Sequence, residues 1–139
     1  MTIKYANHTS IQWLAEVEKH IPSETLLDKI NHRQILIAEI EGREIAYLRF
    51  GYFWDNIPFM NLLFVEDNYR KQGVGKRLVD YWESEMCKLG HSLVLTSTLS
   101  NEDAQYFYRK LDYLDAGGFT LPGEALEIIL LKELSTRIE

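Results

Sequence analysis

Between Asn68 and Trp82 the sequence reads NYRKQGVGKRLVDYW. Arg70, Lys71, Lys76 and Arg77 surround Gly73 and Gly75 with no acidic residue among them, in a chain whose net charge is -6. Val74, Leu78, Trp82 and Met86 then follow at i, i+4 steps, so the basic glycine loop opens an amphipathic helix. The first amides of a helix have no carbonyl partners within it, and the helix dipole places partial positive charge there. Glycines let the backbone turn tightly and come close to a ligand. The chemistry this favours is the binding of phosphate or pyrophosphate. Two nucleotide loops are excluded by spacing. A triphosphate loop needs G-x-x-x-x-G-K-[ST], but Gly73 and Gly75 are too close and Lys76 is followed by Arg77. A dinucleotide loop needs a third glycine where Leu78 stands. On these residues alone, a flexible basic loop on a solvated face is the alternative.

Other reactive side chains form no motif by themselves. His8, His20, His32 and His91 lack ligand spacing, so no metal is expected. No G-x-S-x-G nucleophile motif occurs. The one cysteine, Cys87, reads as a helix residue without chemistry; no disulfide can form within the chain, which suits a reducing compartment. Tyr108 shares a helix face with Ala104, Phe107 and Leu111, the pattern of a core residue. Tyr52, Phe53 and Trp54 form an aromatic cluster at a turn.

The elements that must position these groups follow from periodicity. SIQWLAEVEKHI spaces Ile11, Leu14, Ala15 and Glu18 as a helix, with Ser10 or Thr9 as cap. PSETLLDKI starts a second helix, with Pro22 near its first turn. From Arg33 the period becomes two: RQILIAEI and REIAYLRFGYF are strands joined by a turn at Glu41-Gly42. FMNLLFVED is apolar on both alternating faces and predicts a strand buried on both sides, with Asn61 as its polar exception. The helix after the glycine loop stops at Gly90, SLVLTST is another central strand, and NEDAQYFYRKL is helical. The tail ALEIILLKEL fits a strand or a short helix. Strand–helix–strand–helix after a hairpin implies a mixed sheet covered by helices.

At 139 residues the chain fits one domain, 1–139, with a sizeable core. Its acidic balance disfavours a nucleotide or RNA binder. The N-terminus MTIKYANHTS lacks the apolar core of a signal peptide, and no apolar run approaches the roughly 20 residues of a membrane helix. The expectation is a soluble, cytoplasmic protein without nucleic-acid or membrane partners.

The pattern Arg70-x-x-Gly73-x-Gly75 after LLFVEDNY resembles the pyrophosphate loop of the GNAT superfamily of acyl-CoA-dependent N-acetyltransferases. The strand LVLTST, followed by Asn101 and AQYFYRKLDY, is similar to the family's N…A…FY-x-K-L-G-[FY] segment, and the EGREIAYL hairpin fits its second and third strands. The resemblance covers about residues 35 to 114. It implies an α/β fold of α+β type: one GNAT-like domain, a mixed, mostly antiparallel sheet with helices on both faces, in the order β-α-α-β-β-β-α-β-α-β-β.

It also implies a co-substrate, acetyl-CoA, and residue roles. The pantothenate arm would lie between Leu62–Val65 and Leu95–Thr98, pairing with main chain as an added strand does. Leu63, Phe64 and Val65 would hold the acetyl-bearing end. The amides of Arg70, Lys71, Gln72, Gly73, Val74, Gly75 and Lys76 would hold the pyrophosphate, Asn101 the pantetheine region, and Tyr108 would stand near the thioester sulfur as catalytic acid. A lysine-like amine, with a pKa of about 10.4, must lose a proton before it attacks. Some family members carry a glutamate base on the strand before the loop; here the polar residue is Asn61, leaving Glu39, Glu44, Asp55, Glu66, a water chain or an amine arriving neutral. Asp112 replaces a frequent glycine after the last helix. The implied activity is transfer of an acetyl group to a small amine or a protein amine, with assembly as a homodimer left open. The alternative is a CoA-binding regulatory module without turnover.

Overall fold

The computed structural model describes residues 1–135. Its elements are β1 (Thr2–Tyr5), α1 (Ile11–Val17), α2 (Ser23–Asn31), β2 (Ile35–Ile40), β3 (Arg43–Phe53), β4 (Ile57–Val65), α3 (Val74–Lys88), β5 (Leu93–Leu99), α4 (Ala104–Lys110), β6 (Leu114–Thr120) and β7 (Leu126–Glu133). Short 3-10 turns precede α1 and α3. The order is the expected one, and the tail is a strand, β7. The sheet runs β1-β2-β3-β4-β5-β7-β6. The β4–β5 pairing is parallel, whereas β1–β2, β2–β3, β5–β7 and β6–β7 are antiparallel. The chain divides into two compact units, Met1–Phe50 with Leu62–Trp82, and Gly51–Asn61 with Glu83 onward.

In the first unit, Glu41 and Gly42 both have positive φ, 52° and 77°, and close the β2–β3 hairpin. The alternation of β3 sends Tyr47 and Arg49 to one face and Leu48 and Phe50 to the other. Tyr47 joins a cluster with Leu14, Leu26, Ile30, Ile35 and Ile37, against which Trp13, Leu62 and Phe64 pack. Phe50 meets Trp82 of α3, ring centroids 5.7 Å apart. Two details differ from the sequence reading. Ser10 stands at the N-cap of α1 but its side chain makes no cap bond to that helix; the side-chain cap is that of Asn7, which accepts from the Thr9 amide at the start of the preceding 3-10 turn. In addition, α1 ends at Val17, leaving Ala15 exposed and Glu18 buried.

In the second unit, β5 pairs along its length with β7, and β7 with the edge strand β6. All seven residues of β6 are exposed. A Cβ on Gly118 would lie 2.5 Å from the Glu127 carbonyl oxygen, so only glycine permits this approach of β6 to β7. Arg109 of α4 forms a fork with Asp115 of β6, at 2.9 and 3.0 Å. On α4 the inward positions belong to Gln105 and Tyr108, while Ala104, expected inside, is exposed. Leu89, the residue after the end of α3, is 62% exposed.

Three helices end in the same way. After α2, α3 and α4 the residue at C′ takes a left-handed conformation: Arg33 (φ 57°), Gly90 (95°) and Asp112 (74°). In each, the next amide reaches back five residues: Gln34 to Lys29, His91 to Met86, Tyr113 to Tyr108. Asp112 therefore takes the glycine-like conformation expected of it.

Candidate functional site

The basic loop lies in the first unit, between β4 and α3. Arg70 is extended, Lys71 turns left-handed at φ 61°, and Gly73 follows at φ 83°. No atom stands within 4 Å of a Cβ built on Gly73, so it is the backbone angle that calls for glycine. The Arg77 amide donates to the Gly73 carbonyl at 3.0 Å, the first bond of α3. Val74 and Gly75 thus occupy the first turn, where a helix supplies no carbonyl to its amides. The charges are less concentrated than the sequence suggests. Arg70 donates to the Val65 carbonyl at 3.0 Å and approaches Asp67 at 3.3 Å, and Lys76 pairs with Asp80 at 2.8 Å. All four partners in these two ion pairs are exposed, so each pair contributes at most about 1 kcal/mol and yields easily to a stronger anion. Gln72 donates to the Asn68 carbonyl and ties the loop to its own start.

The strand leading to the loop departs from the expectation of burial on both faces. Leu62, Leu63, Phe64 and Val65 are all half-buried and Asn61 is exposed. Leu62 and Phe64 pack against the Tyr47 cluster, while Leu63 and Val65 point the other way by strand alternation. The Glu66 amide donates to the Ile45 carbonyl, so Glu44, next along β3, lies at the loop end of β4 rather than beside Asn61. Burial, and then the Glu39 carboxylate opposite, raise the pKa of Glu44 above the ordinary carboxylate value, against the pull of Lys4. Glu39 itself pairs with Lys4 at 3.1 Å.

In the second unit, Asn101 stands exposed in the turn after β5. Gln105 fixes that turn by donating to the carbonyls of Ser100 and Glu102, both at 2.9 Å. Tyr108 is 6% exposed. Its ring packs edge-on against Phe107 and Tyr113, and its hydroxyl donates to the Met60 sulfur at 3.7 Å. Burial pushes its pKa up to about 12, with the neighbouring Thr96 side chain acting the other way. The hydroxyl therefore keeps its proton at neutral pH. The aromatic turn is open: Trp54 is 77% and Phe53 42% exposed, their ring centroids 4.7 Å apart, with Asp55 exposed beside them.

Sequence reasoning missed Glu18. Its carboxylate, with a side chain 1% exposed, accepts from Tyr47 Oη and Arg49 Nε, each at 2.9 Å, and from the His20 amide at 2.8 Å. Burial alone would raise its pKa. The His20 amide, the Tyr47 hydroxyl and the Arg49 guanidinium outweigh burial and hold it below the ordinary value. The signal available was the apolar helix stripe that ended on an acid; its partners lie 29 and 31 residues away. Among the described residues no group of His, Cys, Asp and Glu is placed to hold a metal ion, and no helix is long and apolar enough to cross a membrane.

An acetyltransferase (GNAT) domain profile matches residues 31–114, more than half of the chain and inclusive of the loop and Tyr108. The chain belongs to this family. It is an acyltransferase-class protein with the GNAT α/β fold. Similar solved structures include a ribosomal-protein-alanine N-acetyltransferase from Brucella melitensis, with TM-score 0.80 and 16% identity over 96% of this chain and 100% of that one. A PaiA N-acetyltransferase from Thermoplasma acidophilum in complex with coenzyme A has TM-score 0.78 and 17% identity over 95% and 98%. An aminoglycoside 6'-N-acetyltransferase complexed with coenzyme A has TM-score 0.76 and 18% identity over the whole of both chains. At these identities the likeness is one of fold. No curated protein sequence matches the chain significantly.

Proposed function

We propose that this GNAT-family chain transfers an acetyl group from acetyl-CoA to a primary amine. The observation that carries the reading is the β4–α3 junction. A left-handed Gly73 and the first-turn amides of Val74 and Gly75 sit among exposed basic side chains whose ion pairs are weak. We assign the pyrophosphate to the Arg70–Lys76 amides, the acetyl-bearing arm to the main chain of Leu63, Phe64 and Val65, and a pantetheine contact to Asn101. The coenzyme A bound to two similar folds supports the cofactor, and their amine-acetylating names support the class of acceptor.

In the reaction the amine nitrogen bonds the acyl carbon. The carbon–sulfur electron pair leaves with sulfur, and the amine gives up a proton. Asn61 cannot take that proton, and Glu44 lies at the loop end of the strand, so we assign the transfer to water. Tyr108 serves the leaving group. Its pKa of about 12 stands well above the roughly 8.5 of an ordinary cysteine thiol, so complete proton transfer to a thiolate is uphill. Its hydroxyl acts by donating a hydrogen bond to charge developing on sulfur.

The test is release of free thiol from acetyl-CoA across a panel of small amines, amino acids and peptides. Amine-dependent release is expected. Tight coenzyme A binding with no release for any amine would favour the regulatory-module reading. Calorimetry that shows pantetheine binding as tightly as coenzyme A would reject the assignment of the loop.

A further inference from the structure

Within the second unit, Met60 and Thr96 face each other in the parallel β4–β5 register. Both are 2% exposed. The Thr96 hydroxyl donates to the Met60 main-chain carbonyl at 3.0 Å. The Tyr108 hydroxyl donates to the sulfur of the same residue at 3.7 Å. A buried hydroxyl ordinarily finds a carbonyl or carboxylate acceptor, and a thioether sulfur is a weak one. The strong acceptor of that residue, its main-chain carbonyl, takes the Thr96 hydroxyl instead. The Tyr108 ring, fixed between Phe107 and Tyr113, leaves its hydroxyl little choice of direction. The result is a donor that is aimed at sulfur yet loosely held.

We propose that Met60 and Thr96 are positioning residues for Tyr108: the Met60 sulfur aims the hydroxyl as a stand-in for the thioester sulfur, and Thr96 keeps the Met60 carbonyl from capturing it. This rests on the reading of Tyr108 as donor to the leaving sulfur. Exchange of one soft sulfur for another, the second gaining negative charge, favours release of the hydroxyl when the carbon–sulfur bond breaks. A carbonyl in place of the thioether would hold the hydroxyl more strongly and oppose that exchange.

The experiment compares Met60→Leu, Thr96→Val, Thr96→Ser and Tyr108→Phe with one accepted amine. Leucine keeps the volume of methionine and removes the acceptor, so the fold should survive. Met60→Leu is expected to lower kcat by up to about tenfold, the scale of one hydrogen bond, with the KM for acetyl-CoA unchanged. Thr96→Val is expected to lower kcat further, and Thr96→Ser, which restores the hydroxyl, to recover it. Adding Met60→Leu to Tyr108→Phe should cost nothing more, since both act on one donor. The Met60→Leu loss should shrink on an acetyl thioester of a more acidic thiol, whereas a loss caused by packing alone would be equal on both donors. Wild-type kcat in Met60→Leu beside an impaired Tyr108→Phe would overturn the role of Met60 and leave that of Tyr108 standing. Wild-type kcat in Tyr108→Phe would overturn the underlying reading instead. If Met60→Leu fails to fold, norleucine incorporated for methionine, with carbon replacing sulfur in an unbranched chain, gives the same comparison.

Discussion

Replacing Tyr108 by phenylalanine keeps the ring, its packing on Phe107 and Tyr113, and its buried area. Only the hydroxyl and its bond to the Met60 sulfur are lost. Stability should therefore change by no more than about 1 kcal/mol, measured by urea unfolding. Turnover should fall by about tenfold to a thousandfold, while acetyl-CoA affinity by calorimetry stays at the wild-type value. Unchanged turnover would leave Tyr108 as a core residue and the departing thiolate to water. Tyr108 and Asn101 were singled out because they stand in a motif with fixed spacing, and their roles rest on the tests proposed for them. Glu18 and Gln105 were not singled out. Each is a polar side chain in an apolar stripe whose value depends on a partner that spacing does not reveal: Arg49, 31 residues on, for Glu18, and the carbonyls of a turn for Gln105.

Among the elements, α3 carries the sharpest test of the loop. Gly75 is half-buried in the first turn of the helix. Valine is a better helix former than glycine, so Gly75→Val should fold, but its side chain would hold a phosphate away from the backbone. Coenzyme A affinity should drop at least about tenfold, equivalent to 1.4 kcal/mol, by calorimetry. A folded variant with wild-type affinity would move the pyrophosphate elsewhere. A second element test concerns the segment after α1, which Glu18 fastens to β3 through Tyr47 and Arg49. Glu18→Gln leaves the Arg49 charge buried without its counter-ion and should cost about 3–5 kcal/mol by denaturant unfolding. Glu18→Leu combined with Arg49→Met should recover most of that loss; a double variant as unstable as the single one would assign the cost to packing. The hairpin and the long helix were readable from period and turn residues. The edge strand β6 was expected from the resemblance and not from its residues, since Asp115, Gly117 and Gly118 carry no apolar alternation, and Gly118 is there for close approach to β7. The half-buried state of Leu63 and Val65 was hidden, since apolar residue types on alternating faces do not tell a covered face from a partly open one.

For the molecule as a whole, the buried Glu18 sets the direction of acid sensitivity. Its folded pKa lies below the ordinary value of 4.5, so its stabilisation is complete above about pH 4.5 and is lost as pH falls through the folded value. Wild-type stability should therefore decline from about pH 4.5 downward, and Glu18→Gln, already weakened, should decline less steeply over that range. Equal slopes in the two proteins would exclude Glu18 as a source of the acid effect.

The three tryptophans occupy three different surroundings, and this gives the chain an optical signature of its own. Trp82 is fully buried with its indole N–H unpartnered among the described residues, Trp13 is half-buried among Tyr47 and Phe64, and Trp54 is 77% exposed beside Phe53. An indole in a dry, apolar site emits at shorter wavelength than one in water and is shielded from dissolved quenchers. Iodide should thus extinguish the red side of the native emission band, which belongs to Trp54, and leave the blue side, which belongs to Trp82. The same spectrum then follows unfolding from within: the blue component shifts toward the red and becomes open to iodide, while the red component changes little.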